Sequence, residues 1–149
     1  MDAAGVRRVI IRMGIVLDSN SGALPLMVLP FKLFVGGPLG SGRQYVSWIH
    51  LQDNVRAIDF AMRNNIISGV VNLTAPTSYT NKEFGKIISK VLHRPYWFPV
   101  PAFGLKLVLG EKSELVLEGQ NVYPGKLLEH GFQFLYPELE SALKNIYNQ

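Results

Sequence analysis

The sequence predicts an α/β protein, because apolar strand-like runs alternate with amphipathic helix-like segments. The run Val9 to Leu17 is rich in β-branched residues and apolar on both faces, which is typical of a strand buried in a parallel sheet. Gly69 to Leu73 and Tyr45 to His50 also have the composition of strands. Since a parallel sheet normally has more than two or three strands, we expect further strands on the N-terminal side of these.

Two helices are predicted between and after these strands. One has apolar residues at positions i, i+4, i+7 and i+11, with Asp53 in its first turn, namely Leu51, Val55, Ile58 and Met62. The other begins with a capping box, in which Thr80 and Glu83 satisfy each other's backbone amides. The segment from Leu24 to Phe34 is apolar but interrupted by prolines, so a short helix and an irregular segment are both possible.

The part of the chain after His93 has few strand-like segments. Prolines hold residues 94–101 extended, and short helices are predicted at 103–109, 114–117 and 124–130, with a last one beginning at Pro137. We therefore divide the chain into an α/β part, residues 1–93, and a mainly helical tail, residues 94–149, that packs on it.

Composition excludes several classes of protein. The net charge of +4 over 149 residues comes from scattered Lys and Arg, which indicates a solvated surface and no nucleic-acid-binding arm. Cysteine is absent, so neither disulfides nor thiolate chemistry are available. The longest apolar stretch, Ala23 to Phe31, contains two prolines and is too short to cross a bilayer. Because the first residues do not have the pattern of a signal peptide, we expect an intracellular protein, cytoplasmic or within an organelle.

Sequence patterns for catalysis are missing. The nearest approach to a dinucleotide fingerprint, Gly40 to Tyr45, has Tyr where the third glycine belongs and leads into a strand. No phosphate-binding loop or nucleophile elbow occurs, and no tyrosine has a lysine four positions later on the same helix face. The histidines, His50, His93 and His130, are too far apart in sequence for a ligand motif. We therefore predict no catalytic residue and no metal site.

One segment is informative about the family. A glycine-rich loop, Gly36 to Gln44, enters a strand that ends in Ser47-Trp48-Ile49-His50, and Asp53 follows at a helix start. Further segments fit the same pattern: Arg12 to Leu17, Leu24-Pro25, Pro30 to Lys32, Asn72 to Pro76, Asn81 to Phe84, Arg94-Pro95, Val100 to Ala102, and Leu117 to Leu139. From Val9 to its end, the chain resembles the C-terminal half of the epimerase-like family of short-chain dehydrogenases/reductases.

This resemblance implies the C-terminal half of a Rossmann-like enzyme that uses NADP or NAD. The cofactor fingerprint and the catalytic Tyr and Lys of the family lie in a half that precedes Val9, so the chain is not expected to bind the cofactor alone. The resemblance places Arg12, Gly14 and Ile15 on the cofactor side, and Gly37, Arg43, Gln44, Ser47 and Trp48 on the substrate side. It also implies a small, sugar-nucleotide-like ligand. Where relatives that bind nucleotide sugars often have Arg, this chain has Val46, and Arg43 could take that place.

Several of these residues also have structural interpretations. Arg43 could donate to loop carbonyls, and strand alternation sends Ser47 and Trp48 to opposite faces, which favours a core position for Trp48. His50 and Asp53 suit the start of a helix. We expect the aromatic cluster Tyr96 to Phe98 to pack the tail against the sheet.

Two functions remain open from the sequence. The first is a substrate-side portion of an NAD(P)-dependent epimerase or reductase, incomplete alone. The second is a non-catalytic binding or assembly subunit that keeps the scaffold. In both cases the incomplete sheet should leave an edge of the Val9 to Leu17 strand exposed, so we expect the missing half, a partner chain or a second copy to cover it.

Overall fold

The computed structural model describes residues 5–99, 101–112 and 119–148 and shows an α/β architecture. The strands are β1 (Val9–Met13), β2 (Ile15–Leu17), β3 (Tyr45–Val46), β4 (Trp48–His50), β5 (Gly69–Leu73) and β6 (Tyr79–Thr80). The helices are α1 (Leu24–Lys32), α2 (Leu51–Arg63), α3 (Asn81–Leu92), α4 (Ala102–Leu109), α5 (Gly125–Glu129) and α6 (Leu139–Tyr147). A 3-10 turn, Gly110–Lys112, continues α4.

The strands form three pairs. β1 lies parallel to β5, in register from Val9 opposite Gly69 to Met13 opposite Leu73. β2 lies parallel to β4, and β3 is antiparallel to β6. The predicted single strand from Tyr45 to His50 is therefore divided at Ser47, because its two halves pair with different partners.

The long first strand changes partner at Gly14. The Gly14 amide donates to the Leu73 carbonyl at 3.1 Å, whereas the next amide, from Ile15, donates to the Ser47 carbonyl at 2.8 Å. The chain after β5 also contacts β4, since the Ala75 amide donates to the Trp48 carbonyl. The first strand and β5 thus diverge at Gly14, and β4 begins between them. We call this point the fork.

One edge of β1 is free. The Gly14 amide points toward β5, so by strand alternation the amides of Ile11 and Met13 point to the opposite edge. Within the described residues no strand pairs with that edge of β1. The exposed edge expected for the strand from Val9 to Leu17 is thus that of β1, since β2 is paired with β4. The side chains of Ile11 and Met13 are also exposed, which is unusual for apolar residues of a parallel sheet.

Two apolar clusters form the core, and the tail contributes to both. The first is built from β2, β4, α1, α3 and α6, and it includes Leu17, Trp48, Phe84, Ile88, Leu139 and Leu143. The second lies under α2 and α5, and it includes Ile49, Ala57, Val71, Leu73, Leu127 and Phe132. Buried side chains of the tail thus pack against the α/β part.

α1 settles one open alternative. The segment is helical because Pro25 occupies the first turn, where its missing amide costs nothing, and Pro30 lies near the end of the helix. The predicted capping box of α3 is confirmed, with the Thr80 hydroxyl accepting from the Glu83 amide and the Glu83 carboxylate accepting from the Thr80 amide.

The buried face of α2 differs from its apolar stripe. The helix forms where expected, but Leu51, Val55 and Met62 of its apolar stripe are exposed. Its buried face consists of the small residues Ala57 and Ala61, which allow a close approach to the sheet, together with Asp53 and Asn54. Polar contacts of Asp53 with the tail, described below, make that orientation favourable despite the buried charge.

The aromatic cluster of the tail divides between core and surface. Tyr96 packs against Phe31 as expected, with ring centroids 6.3 Å apart, but Trp97 and Phe98 are exposed. The predicted helix 114–117 lies outside the described residues. None of the helices in the described ranges has the length and apolar character needed to cross a membrane.

Candidate functional site

A groove lies at the fork, where β1 ends and β2 begins. It has two adjoining lobes of about 600 and 510 Å³, and Met13, Gly14, Gln120 and Val122 line both. Cavities of this size hold small molecules or one end of a larger cofactor. We call it the fork groove, and it opens beside the free edge of β1.

The two lobes differ in chemistry. The larger one also has Ile15, Val16, Tyr45, Val46 and Ser47 in its wall and is mainly apolar. The smaller one has Arg12, Asn72, Thr74, Asn121 and Tyr123, so that one guanidinium and several amides face it. Its wall contains no carboxylate among the described residues, which favours ligand groups that accept hydrogen bonds.

One wall of the groove is a segment of the tail, Gly119 to Tyr123, which we call the strap. Side chains of the α/β part hold its backbone. The Ser47 hydroxyl donates to the Gln120 carbonyl and accepts from the Val122 amide at 3.0 Å. The Thr74 hydroxyl donates to the Val122 carbonyl at 3.3 Å. Because backbone atoms make these contacts, the exposed side chain of Gln120 remains available to the groove.

Gly14 is needed for the geometry of the fork. A Cβ at this position would lie 2.6 Å from the Ser47 carbonyl oxygen and 3.0 Å from Cγ2 of Thr74. The backbone of Ser47 therefore approaches Gly14 closely, where it enters between the diverging strands.

The structure brings four of the predicted site residues together. Arg12, Gly14, Ile15 and Ser47 all line the fork groove. Trp48 does not, since its side chain is fully buried and its indole N–H donates to the Thr77 carbonyl at 2.9 Å.

The other predicted substrate-side residues lie in the glycine-rich loop, outside the groove. A Cβ on Gly37 would lie 2.0 Å from the Phe98 carbonyl oxygen, so the tail backbone packs directly on this glycine. The side-chain amide of Gln44 donates through Nε2 to the Leu39 carbonyl at 3.0 Å and closes the loop. Arg43 is exposed, and Val46 is buried in the core.

Sequence reasoning missed the strap as a groove wall. Gln120 and Val122 belonged to the segment that carried the family resemblance, but no spacing rule connects them to Ser47, which lies more than 70 residues earlier. Only the hydrogen bonds of the folded chain show the connection.

His50 and Asp53 hold the tail beneath the groove. His50 caps α2 by accepting from the Gln52 amide, and its ring stacks on Tyr136 with centroids 4.0 Å apart. The fully buried Asp53 carboxylate accepts from the amides of Leu135 and Tyr136, both at 2.8 Å. These contacts support a structural role for both residues at the start of α2.

The state of His50 should make stability depend on pH. Burial lowers the pKa of His50 below its usual value of 6.5, although hydrogen bonding to Asn145 and the charge of Asp53 oppose the shift. The unfolded chain therefore takes up a proton at His50 more readily than the folded chain does. The neutral ring thus favours the folded chain above pH 6.5, and this contribution to stability is lost as the pH falls through the folded pKa.

We expect His50→Asn to reduce this loss, because Asn keeps an N-cap acceptor and does not titrate. Urea midpoints at pH 7.5 and 5.5 measure it for both proteins. An equal decrease in the two proteins would show that another group is responsible.

Known proteins resemble this chain over almost its whole length. The epimerase family protein YfhF of Bacillus subtilis is 47% identical over 146 residues, which are 98% of this chain and 48% of that protein. The chloroplastic SDR39U1 homolog of Arabidopsis thaliana is 47% identical over 141 residues, 95% of this chain and 41% of that protein. Residues 100–146 match a domain of unknown function, DUF1731.

A solved structure of the same family superimposes closely. The human epimerase family protein SDR39U1, crystallised with NADPH, matches with a TM-score of 0.89 and 39% identity, over 99% of this chain and 50% of that one. The chain spans about half the length of the relatives that it matches. The chain is therefore similar to epimerase family proteins of the short-chain dehydrogenase/reductase type, over their C-terminal portion.

Proposed function

We propose that this chain is the substrate-side half of an NAD(P)-dependent epimerase-like protein and acts only together with the remaining half of such a protein. The observation that carries the proposal is the position of the fork groove beside the free edge of β1. A ligand in the groove would be enclosed on one side by this chain and on the other by whatever pairs with β1. In this proposal β1 and β5 are the last strands of a Rossmann-like, doubly wound sheet whose other strands belong to the remaining half.

The fork groove fits one end of a dinucleotide and not the whole of it. Its larger lobe is apolar and presents the backbone around Gly14 and Ile15, which suits a flat ring such as nicotinamide. When bound, that ring supplies or accepts a hydride. The sequence has no glycine fingerprint for the pyrophosphate, so the rest of the cofactor belongs with the remaining half.

The residues of this chain then divide into roles. Arg12, Gly14 and Ile15 face the cofactor, and Ser47 places the strap so that Gln120 can contact the substrate. Gly37, Arg43, Gln44 and Trp48 support the wall from the loop and the core. A small, hydroxyl-bearing substrate of the sugar-nucleotide kind suits the amides of the smaller lobe, since each amide can both donate and accept.

A chimera tests the proposal. The half of Bacillus subtilis YfhF that this chain does not match would be fused ahead of it, and calorimetry would measure NADPH binding by the chimera and by the isolated chain. We expect the chimera to bind at least 100-fold more tightly. Equal binding by the isolated chain, or a folded chimera without binding, would contradict the proposal.

Copurification distinguishes the assembly role. A partner with a glycine fingerprint and a Tyr-x-x-x-Lys pair supports the half-enzyme, whereas unrelated partners favour a non-catalytic subunit.

A further inference from the structure

The helix α4 has an apolar face without a partner. Phe103 and Leu107 lie one turn apart on the same side of the helix, and their side chains are 71% and 83% exposed. α4 makes no extensive contact with another helix or strand of the described chain, and its main neighbour is the 3-10 turn that follows it. A helix of eight residues is marginal in water without packing, so this face needs an occupant.

The chain on both sides of α4 is fixed near the fork groove and the glycine-rich loop. Before α4, the Phe98 amide donates to the Gly36 carbonyl at 3.0 Å. After it, Gly119 lies directly against the Tyr45 backbone in the groove wall. Only residues 113–118 separate the 3-10 turn from Gly119, and seven peptide units span at most about 25 Å. The end of α4 is therefore tethered within reach of the groove wall.

Two more exposed aromatic residues lie where the chain that leads into α4 meets the glycine-rich loop. Trp97 is 70% exposed, and its indole N–H donates to the Phe34 carbonyl at 2.7 Å, which fixes the ring at the surface. The Arg94 guanidinium lies over the Phe34 ring at 4.7 Å from its centroid. Trp97 and Phe34 together with Phe103 and Leu107 are the set that we call the α4 surface.

We propose that the α4 surface docks onto the remaining half of the epimerase fold, as a second contact separate from the free edge of β1. Two observations favour this occupant over a second copy of the chain. The relatives that contain the matching tail are about twice as long, so they hold the tail and a further half in one molecule. The chain that follows α4 also returns to the groove wall at Gly119, and β1, whose free edge that half is expected to cover, lines the same groove.

This inference rests on the proposed function, and it adds a role for α4. With contacts at the β1 edge and at α4, the remaining half would be held on both sides of the fork groove. The tail would then contribute to closing the groove as well as to packing the core.

The test compares the same substitutions in the isolated chain and in the chimera. Phe103→Ser with Leu107→Ser should leave the urea midpoint of the isolated chain unchanged, because both side chains are exposed there. In the chimera the double substitution should lower the urea midpoint, because both side chains would be buried against the remaining half. Leu107→Ser alone should give a smaller decrease. Ile66→Ser is the matched control, since Ile66 is 79% exposed but precedes the amino-terminal end of β5, away from the groove.

The outcomes separate this inference from the proposed function. If the chimera binds NADPH and the double variant is as stable as the unsubstituted chimera, the docking of α4 is wrong and the half-enzyme stands. If NADPH does not bind but the double variant still lowers the midpoint, the docking stands without the cofactor. Independent unfolding of the two halves, or dimers of the isolated chain that the double variant dissociates, would overturn the docking.

Discussion

Replacement of Asp53 by alanine is expected to destabilise the chain by about 3 kcal/mol, close to the cost of breaking a buried ion pair. The carboxylate accepts from the amides of Leu135 and Tyr136, and Oδ1 also accepts from the Arg56 guanidinium at 2.8 Å. Without it, two backbone donors of the tail lose the buried carboxylate that accepts from them. Urea unfolding, followed by the fluorescence of buried Trp48, gives the change in free energy.

The matched control is Asp59→Ala on the same helix. Asp59 also forms an ion pair, with Arg63 at 2.7 Å, but both side chains are largely exposed. Exposed pairs of this spacing contribute less than about 0.5 kcal/mol, so this variant should be nearly neutral. If Asp53→Ala were equally mild, Asp53 would not be what holds the tail on α2.

Replacement of Gly14 by alanine is expected to cost about 2 to 3 kcal/mol, as overpacking of a well-packed interior does. The added methyl group would meet the Ser47 carbonyl at 2.6 Å, and Ser47 is held in place because β4, which follows it, pairs with β2. The fork would have to open, so the groove wall formed by Ser47 and the strap should shift as well. Thermal and urea unfolding measure the stability, and NADPH binding by the chimera reports on the groove.

Gly125→Ala tests whether the effect is specific to the fork. Gly125 is the first residue of α5, and a Cβ there would have its nearest neighbour at 3.8 Å, an ordinary contact. Since alanine is a better helix former than glycine, this variant should be neutral or slightly stabilising. A fully stable Gly14→Ala variant would mean that the strands at the fork can separate.

Local sequence signals identified most of the elements. The β-branched run before Leu17, the capping box of Thr80 and Glu83, and the tail helices all depend on neighbouring residues, so their prediction needed no tertiary information. The family resemblance is confirmed as well, by the epimerase family proteins that match almost the whole chain.

Features that depend on distant contacts could not be predicted in this way. The buried face of α2 is one of them, because Asp53, which accepts hydrogen bonds from the tail, is buried while most of the apolar stripe is exposed. The division of the strand at Ser47 and the strap across the groove also arise from hydrogen bonds between segments far apart in sequence. Of the predicted site residues, those in the β1 to β2 segment and Ser47 line the groove, since they form the fork.

Hydrogen exchange at β1 tests the central claim most directly. The amides of Ile11 and Met13 point to the free edge of β1 and have no strand to donate to within the described residues. In the isolated chain we expect both to exchange rapidly, whereas the amide of Gly14, bonded to Leu73, should be protected. In the chimera Ile11 and Met13 should become protected by at least 100-fold. Rapid exchange of Ile11 and Met13 in a folded chimera would contradict the claim that the remaining half completes this sheet.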